Sequence, residues 1–445
     1  MKILHYSLGF PPYARGGLTK YAVDLMEMQI RQGHTVGMLW PGTKSGKKPK
    51  IVKRKSVNGI DNFELKNPEY LPQIYGIKDF DSFQIDVDGK EYRKFLMEYK
   101  PDVIHAHTIM GMHIQFLEIA KELGIKTVYT SHDRFGICPR TMLFKNGVSC
   151  EFNSDCKGCE ECCKNALSIT KMKILQSSLY RKLKETTLMK KIRSSEKAKL
   201  ISEEDNKIIV DGGTAEENQY KKLREGYIKY FNLFTTIHFN STNSKRIFGH
   251  YVDVSKDVVC NITHSDIKNN YDKYNKKLEG NHIHMTYMGA IAEFKGFFTL
   301  KKVLDKLYEN GKTNFTLTIY NDVKNPEEYM KLKPPYKYDE LSDVMNSCDM
   351  VVAPRDGTFG FTVLEALSYG VPVLVSEEVG AKDLVEDRVT GILCDCNVES
   401  IYERLEEILD NPNMVEEMKA NIKSRFHVKE IEEHSLEIMN TVYKK

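Results

Sequence analysis

The chain has 445 residues, of which 41% are hydrophobic and 29% are charged, and its formal net charge is +3. This length exceeds what one hydrophobic core usually supports, so we expect at least two domains, and the composition excludes wholesale disorder. The small net charge argues against nucleic acid as a partner. The N-terminus lacks the apolar core of a signal peptide, and no window approaches about eighteen consecutive apolar residues. We therefore expect a cytoplasmic protein.

The first part of the chain alternates short apolar strands with amphipathic helices. Residues 2–6 form a predicted strand, and a helix follows the Gly16-Gly17 loop and ends before Gly33. Further predicted elements are strands at 35–39, 103–107 and 126–130 and a helix at 112–123. Such alternation predicts a parallel sheet that is covered on both faces.

Residues 138–235 interrupt this alternation, and we interpret them as an insertion in the first domain. Six of the ten cysteines lie between positions 138 and 163. The stretch 171–199 is basic and helical in composition.

Strand–helix alternation resumes after residue 281. The predicted strands are 284–287, 315–320, 350–353 and 373–375. One predicted helix follows Gly296 and ends at Glu309, and two more span 339–348 and 361–368. The sequence thus predicts two doubly wound α/β domains, 1–255 and 256–425. A cleft between the carboxyl ends of their strands is the expected place for a ligand.

The segment 354–373 carries the densest set of candidate functional residues. Gly357 and Gly360 would let backbone N–H groups approach a ligand, and a helix begins directly after them. A helix N-terminus attracts anions such as a diphosphate. Glu365, just inside that helix, could accept hydrogen bonds from both hydroxyls of a ribose. An ordinary surface carboxylate is the alternative for an isolated glutamate.

This segment resembles the signature of the retaining GT-B glycosyltransferases of family 4. Matching features follow in order outside the insertion: Gly16-Gly17, Asp102–His107, Tyr129–Asp133, Gly289–Gly296, Phe359–Val373 and Val379–Leu384. The resemblance implies a GT-B fold, in which two Rossmann-like domains face a central cleft and a C-terminal helix, 426–445, returns to the first domain. It also implies that a hexosyl or related sugar moves from a nucleotide-diphosphate sugar to an acceptor with retention of anomeric configuration.

The resemblance also assigns roles to individual residues. Gly16 and Gly17 would contact the donor phosphates, His132 the transferred sugar, and Lys295 the charge on the departing diphosphate. The remaining donor-binding residues would be Gly360, Phe361, Thr362 and Glu365. We expect His132, Lys295 and Glu365 to be catalytic, and transfer to need no metal cofactor. His105 and His107 are less favoured, because a strand histidine is more often a buried structural residue.

Two positions depart from the family pattern. Ala290 stands where the family has Arg, and Gly357 stands where it has Glu. Losing one charged contact to a transition state costs about 3 kcal/mol. Two alternatives therefore stay open: a non-catalytic nucleotide-sugar-binding scaffold subunit of a glycan assembly pathway, and a nucleotide-sugar epimerase of the same fold.

The cysteines of the insertion suggest a metal site. They are Cys138, Cys150, Cys156, Cys159, Cys162 and Cys163. Two overlapping C-x-x-C units among them predict that four thiolates bind a structural zinc ion. An iron–sulfur cluster and a set of free thiols are the alternatives.

Basic segments of the first domain suggest a membrane surface as a partner. Met172, Leu175, Leu179 and Leu183 recur along one face of a predicted helix rich in Lys and Arg, and residues 47–55 form a second basic cluster. This pattern predicts peripheral contact with the inner face of the membrane, where a glycan or lipid-linked acceptor of cell-surface polysaccharide synthesis would lie. A merely solvated face is the alternative. RNA is disfavoured, because the basic stretches contain few aromatic side chains for stacking.

Overall fold

The computed structural model describes residues 1–145, 147–150, 152–184, 186, 189, 215–255, 257–355 and 357–444. These residues form two compact units. The first comprises Met1–Asn240, Ser244–Cys260 and Ile431–Lys445, and the second comprises Ser241–Asn243 and Asn261–Glu430. The divisions thus lie a few residues beyond the expected positions 255 and 425.

An eight-stranded sheet forms the centre of the first unit. The strands of this unit are β1 (Lys2–Tyr6), β2 (Thr35–Pro41), β3 (Lys50–Val57), β4 (Ile60–Lys66), β5 (Val103–Ala106), β6 (Lys126–Thr130), β7 (Phe144–Lys145), β8 (Val148–Ser149), β9 (Thr236–Phe239) and β10 (Val258–Val259). The sheet has the order β10-β9-β6-β5-β1-β2-β4-β3, and β7 and β8 form a separate hairpin. All neighbours in the sheet are parallel except β3 and β4.

Helices lie between these strands in the chain. They are α1 (Gly17–Arg31), α2 (Lys90–Tyr99), α3 (Ile114–Glu122), α4 (Cys159–Cys162), α5 (Ile169–Leu175), α6 (Ser178–Leu183), α7 (Ala215–Leu233) and α8 (Thr242–Phe248). None of the helices that the structure describes, in either unit, is both long and apolar enough to cross a bilayer.

Both faces of the first sheet are buried, as the apolar strands predicted. Successive side chains of a strand point to opposite faces. Leu4 and Tyr6 accordingly pack into the largest core of the unit. Ile3 points to the other face and packs with Val103 and with Tyr443 of the C-terminal segment.

The described part of the insertion leaves the sheet and returns to it. β6 and β9 are parallel neighbours, with Thr130 opposite His238, and the described residues between them lie outside the sheet. The prediction of one continuous basic helix is wrong. The side chain of Ser177 accepts a hydrogen bond from the Tyr180 N–H and starts α6, so α5 and α6 are separate short helices. Residues 190–199 of the predicted stretch lie outside the described residues.

The second basic cluster, residues 47–55, lies mainly on the edge strand β3, which the sequence did not predict. Lys53 and Arg54 pair there with acidic side chains of β4, Asp61 and Glu64. Charges on an edge strand disfavour pairing with another chain. Part of this cluster is therefore explained within the sheet.

The second unit contains a six-stranded, wholly parallel sheet. Its elements are β11 (Ile283–Tyr287), α9 (Phe297–Glu309), β12 (Phe315–Ile319), β13 (Met330–Leu332), α10 (Leu341–Asn346), β14 (Met350–Ala353), α11 (Phe361–Tyr369), β15 (Val373–Ser376), β16 (Gly391–Cys394), α12 (Val398–Asp410) and α13 (Asn413–Arg425). The strand order is β13-β12-β11-β14-β15-β16. The direction of winding changes between β11 and β14, and ligands of open α/β sheets bind beyond the carboxyl ends of the strands at such a point.

The C-terminal segment belongs to the first unit. It forms α14 (Ile431–Glu437) and a π-helical turn at Ile438–Val442, in place of the single helix expected over 426–445. Ile438 and Val442 are fully buried against Ile3, Val103 and Val128. The segment therefore covers one face of the sheet.

A buried ion pair in the second unit gives a stability test. Lys419 Nζ lies 3.0 Å from Asp349 Oδ1, and both side chains are almost completely buried. Removing the ammonium group leaves a buried carboxylate without its counter-charge, so Lys419→Met should lower the free energy of unfolding by about 3 kcal/mol. Urea unfolding would measure this, with the exposed Lys423→Met on the same helix as the control. Equal stabilities of the two variants would contradict the expectation.

Candidate functional site

In the second unit, the loop between β14 and α11 presents a helix N-terminus at the point where the winding changes. Gly360 is the N-cap of α11 and has φ +89°, a left-handed conformation that favours glycine. The N-cap glycine has no side chain with which to cap the helix, and the first turn has no acidic residue. The first turn of the helix starts with Phe361 and Thr362. Its partial positive charge is therefore available to an anion.

This loop is held from the side by a second turn. The N–H of Gly380 donates to the carbonyl of Thr358 at 2.9 Å, and the N–H of Ala381 donates to the carbonyl of Phe359. A Cβ on Gly380 would lie only 2.5 Å from that Thr358 oxygen, so the contact requires glycine. The shape of the loop is thus fixed by backbone contacts.

Lys295 lies in a turn beside the start of the same loop. The turn Glu293–Lys295 ends at Gly296, whose φ is +73°. A Cβ on Gly296 would lie 3.0 Å from a side-chain atom of Pro354, the residue after β14. The half-buried Lys295 is therefore close in space to the loop that leads into α11.

The sequence did not identify the residue that shapes the Lys295 turn. Tyr287, at the end of β11, directs its hydroxyl to the carbonyl oxygens of Ala290 at 2.8 Å and Lys295 at 3.3 Å. A Cβ on Gly289 would lie 2.6 Å from the same hydroxyl oxygen. A tyrosine at the end of a strand carries no distinctive sequence signal for such a role, and only the geometry reveals it.

Glu365 lies one turn into α11 and is largely buried, with 8% of its surface exposed. Its Oε1 lies 3.7 Å from His264 Nε2. Burial raises the pKa of Tyr336 and Tyr338, and the negative charge of Glu365 adds to the effect. The ring of Phe361 meets that of His264 edge-on at 4.9 Å. Glu365 is therefore part of an aromatic-lined site rather than a surface carboxylate.

No sequence pattern indicated that His264, Tyr336 or Tyr338 would belong to the site. They lie far from the signature segment in the chain, and their approach to Glu365 depends on tertiary packing.

The two departures from the family pattern differ in their surroundings. A Cβ on Gly357 would meet no heavy atom within 4 Å, so a side chain could be accommodated there. Arg355 pairs with Glu378, with Nη2 3.1 Å from Oε1. Asp356 lies outside the described residues. Ala290 uses its backbone oxygen to fix the Lys295 turn.

In the first unit, Gly16 and Gly17 start α1. Gly16 is the N-cap, with φ +111° and no side-chain cap. A Cβ there would meet nothing within 4 Å, so the backbone conformation, and not crowding, favours glycine. This fifteen-residue helix offers a second N-terminus suited to an anion.

His132 follows β6 and is buried, with 8% of its surface exposed. Its Nε2 lies 3.3 Å from His107 Nδ1, and its ring centroid lies 4.7 Å from that of Tyr21. Burial lowers the pKa of His132 to about 3, and a nearby positive charge on His238 would lower it further. The ring is therefore neutral near pH 7.

The six cysteines of the insertion belong to the first unit. Cys156, Cys159 and Cys163 are buried, and the other three are half-buried. Burial raises the pKa of Cys162 to about 12, and the next contribution comes from Cys138. Cys156 and Cys159 are linked by a side-chain hydrogen bond, which lowers the pKa of Cys156.

Among the described residues, two groups of three side chains have their potential metal-ligand atoms within 4.8 Å of one another. They are His5, His105 and His107, and Cys260, His434 and Glu437. Neither group contains a cysteine of the insertion. The predicted zinc site therefore stays a prediction.

Two family patterns match the sequence. The pattern of Glycosyl transferases group 1 matches residues 269–425, which lie in the second unit. The pattern of Glycosyltransferase Family 4 matches residues 15–147 of the first unit.

Individual relatives match over shorter stretches. An "Uncharacterized 42.6 kDa protein in cps region" of Klebsiella pneumoniae is 27% identical over 154 residues, which are 33% of this chain and 40% of that protein. The Alpha-1,3/1,6-mannosyltransferase ALG2 of Dictyostelium discoideum is 29% identical over 149 residues, which are 33% of this chain and 32% of that protein. The matches thus span less than two thirds of these relatives.

Solved structures show the fold. HepE from Anabaena, solved in complex with UDP, superposes with a TM-score of 0.57 at 14% identity, covering 99% of this chain and 100% of that one. The superposition covers both units, which are built on Rossmann-like sheets, mainly parallel in the first unit and wholly parallel in the second. The chain therefore has the GT-B fold, with a Glycosyltransferase Family 4 domain in its first part and a Glycosyl transferases group 1 domain in its second part.

Proposed function

We propose that this chain transfers a hexosyl group from a nucleoside-diphosphate sugar to a glycan or lipid-linked acceptor with retention of anomeric configuration, in cell-surface polysaccharide synthesis. The observation that carries the proposal is the uncapped N-terminus of α11, beside the Lys295 turn and one turn before the buried Glu365. A cation, a helix N-terminus and a carboxylate suit the phosphates and the ribose of such a donor.

The proposed reaction follows from these groups. The acceptor oxygen bonds to the anomeric carbon while the bond from that carbon to the β-phosphate oxygen breaks, and the acceptor proton passes to the departing diphosphate. Lys295 and the first turn of α11 stabilise the charge that develops on the leaving group. Such stabilisation by fixed dipoles and one ammonium group requires no metal ion.

Relatives supply circumstantial support for the donor and the pathway. HepE was solved with UDP and with UDP-glucose, ALG2 is named a mannosyltransferase, and the Klebsiella protein comes from a cps region. The nucleotide, the sugar and the acceptor of this chain are part of the proposal.

A non-catalytic scaffold that binds a nucleotide sugar is the second candidate. Ala290 and Gly357 favour it, because both lack charged groups that the family pattern has at those positions. Binding of a donor without release of nucleotide in the presence of any acceptor would select this candidate.

Donor binding should depend on Glu365. We expect at least one nucleoside-diphosphate sugar to raise the midpoint of thermal unfolding of the full chain. Glu365→Ala should weaken that donor's binding by roughly tenfold to a hundredfold, because it removes hydrogen bonds to a charged acceptor. Glu417→Ala, at an exposed position of α13, is the control. If no donor in a broad panel stabilises the unmodified chain, the proposal fails.

We also propose that four of the six cysteines of the insertion hold a structural zinc ion. Cys138 is an electrostatic neighbour of Cys150, Cys159, Cys162 and Cys163, so at least five of the six thiols are candidates for the four ligand positions. Burial raises the pKa of Cys150 and Cys162, and a bound cation would favour their thiolate forms. The ion would cross-link a segment with few strands of its own.

Metal analysis of the purified chain tests this zinc site. We expect about one zinc per chain, and Cys159→Ser should lose most of it and lower the unfolding midpoint. Cys396→Ser in the second unit is the matched control and should keep the metal. Iron with visible absorbance would indicate an iron–sulfur cluster instead, and a chain with neither metal would refute the site.

Finally, we propose that α5 and α6 contact an anionic membrane surface. Ile174, Leu179 and Leu183 are 57%, 66% and 44% exposed, and exposed lysines at 171, 173 and 182 surround them. Met172, in contrast, is buried and is not part of this surface. Exposed apolar side chains among lysines suit the interface of an anionic bilayer.

Cosedimentation with vesicles tests the membrane surface. The unmodified chain should bind vesicles rich in phosphatidylglycerol more than vesicles of phosphatidylcholine, and serine at positions 174, 179 and 183 together should reduce binding severalfold. Leu332→Ser with Leu436→Ser, at exposed positions elsewhere, is the control. Equal sedimentation of the two variants would contradict the assignment of this surface.

A further inference from the structure

Cys260, His434 and Glu437 of the first unit form a cluster of three potential metal ligands, which we call the Cys–His–Glu cluster. One ligand atom from each residue lies within 4.8 Å of the other two. Cys260 and His434 are buried, with 4% and 0% of their surfaces exposed, and Glu437 is half-buried. The proposed transfer reaction assigns no step to these residues.

The distance between the sulfur and the imidazole nitrogen of the cluster fits a shared zinc ion. Zinc binds sulfur at about 2.3 Å and a histidine nitrogen at about 2.1 Å, and a tetrahedral angle between these bonds separates the two ligand atoms by about 3.6 Å. Cys260 Sγ lies 3.6 Å from His434 Nδ1. A hydrogen bond between a thiol and an imidazole can also have this length, so the third ligand decides between the two.

The third ligand is the carboxylate of Glu437. His434 and Glu437 are three residues apart on α14, so their side chains lie on the same face of the helix. A thiolate and a carboxylate together balance the charge of a zinc ion, and the bound cluster is then neutral. Neutrality favours binding at this place, because burying an uncompensated charge is costly. A hydrogen bond between Cys260 and His434 alone would not require a carboxylate beside it.

The second nitrogen of His434 faces Tyr21 of α1. Its Nε2 lies 2.8 Å from the Tyr21 hydroxyl oxygen. When Nδ1 binds an ion, Nε2 carries the hydrogen and donates it to this oxygen. Histidine ligands of metals almost always make such a second hydrogen bond, which sets the orientation of the ring. Tyr21 is therefore suited to act as a positioning residue for the ion.

Other contacts hold the ligand-bearing segments in place. The N–H of Cys260 donates to the carbonyl of Phe239 at 3.0 Å. Ser435 Oγ of α14 donates to Gln32 Oε1 at 2.7 Å, and Gln32 Nε2 donates to the carbonyl of Glu432 at 3.3 Å. An ion would thus meet ligands on segments that are already fixed, which reduces the cost of binding.

A π-helical turn follows the cluster directly. It spans Ile438–Val442 and begins immediately after Glu437. Turns of this kind are rare and occur frequently at functional sites. The C-terminal segment therefore departs from regular helix next to the residue that would bind the ion.

The other group of potential ligands, His5, His105 and His107, is less suited to a divalent cation. Three neutral imidazoles bring no negative charge, and all three side chains are completely buried. Their six ring nitrogens also have hydrogen-bond partners in the structure. A divalent ion there would be a buried charge without a counter-charge among its ligands. The Cys–His–Glu cluster is therefore the better metal site.

We propose that Cys260, His434 and Glu437 bind a zinc ion, with a water molecule in the fourth position. On binding, the Cys260 thiol releases its proton to solvent and its sulfur bonds to the ion. The ion ties the residue after β10 to α14 and, through His434, to Tyr21. The Tyr21 ring packs against His132, so the ion also steadies the residue for which a sugar contact is proposed. The site itself does not depend on the proposed reaction.

Cobalt(II) titration of the full chain tests the cluster, because cobalt replaces zinc in tetrahedral sites and absorbs in the near ultraviolet when a thiolate binds it. With three protein ligands, the cluster should lose zinc during purification and dialysis and then take up about one equivalent of cobalt. Cys260→Ser should lose this equivalent and its thiolate band. Cys394→Ser, which changes a cysteine of equal burial in the second unit, should keep both.

This comparison isolates the cluster whether or not the insertion also binds metal, because both variants keep all six cysteines of the insertion. Equal cobalt uptake and equal thiolate bands in Cys260→Ser and Cys394→Ser would overturn the inference.

A glutamate variant tests the site without changing a buried side chain. Glu437→Gln should weaken cobalt binding at least roughly tenfold, since a charged ligand is lost, and should keep the thiolate band at saturation. Glu432→Gln, at an exposed position of the same helix, is the control. Equal affinities of these two variants would mean that Cys260 and His434 share only a hydrogen bond, and would overturn the inference.

A pair of tyrosine variants tests the positioning role of Tyr21. Tyr21→Phe should weaken cobalt binding roughly tenfold to a hundredfold without changing its stoichiometry, because the His434 ring loses the acceptor that orients it. Tyr443→Phe removes a buried hydroxyl that bonds His105 instead, at 2.7 Å, and should keep the affinity of the unmodified chain. Equal affinities of the two variants would overturn that role. If the unmodified chain transfers no sugar, the proposed function fails, whereas the cobalt titration still decides the metal site.

Discussion

Parallel strands all end at the same edge of their sheet, and this constraint places the candidate functional residues of the chain. In the second unit, β11 leads to the Lys295 turn and β14 leads to the loop before α11. These two strands are neighbours at the point where the winding direction changes, so their loops meet. In the first unit the same constraint places the loop to Gly16 after β1 and His132 after β6.

Backbone geometry, more than side-chain charge, shapes the second-unit site. Gly296 and Gly380 permit contacts that a Cβ would block, and Tyr287 holds the Lys295 turn through carbonyl oxygens. A site preorganised in this way needs little rearrangement when charge develops on a leaving group. The absence of the family's Arg and Glu at positions 290 and 357 leaves Lys295 and the helix N-terminus as the groups on which the proposed chemistry depends.

The local sequence pattern was sufficient to predict most elements near the site, because short apolar runs and the glycines that end helices are local signals. Strands β1, β6 and β14 match their predicted bounds. Long-range contacts were not predictable. The edge strand β3 is too polar to show a strand pattern, and Ser177 breaks the predicted basic helix. His264 and Glu365 are about a hundred residues apart in the chain, so only tertiary packing reveals that they are close.

The proposed function requires that the loop before α11 and the Lys295 turn bind the diphosphate of a donor. Hydrogen–deuterium exchange of the full chain, with and without a nucleoside diphosphate that binds, tests it most directly. We expect slower exchange in peptides covering residues 357–364 and 290–297, because their amide groups would contact or be covered by the phosphates. Protection confined to other segments, with unchanged exchange in both of these, would contradict it.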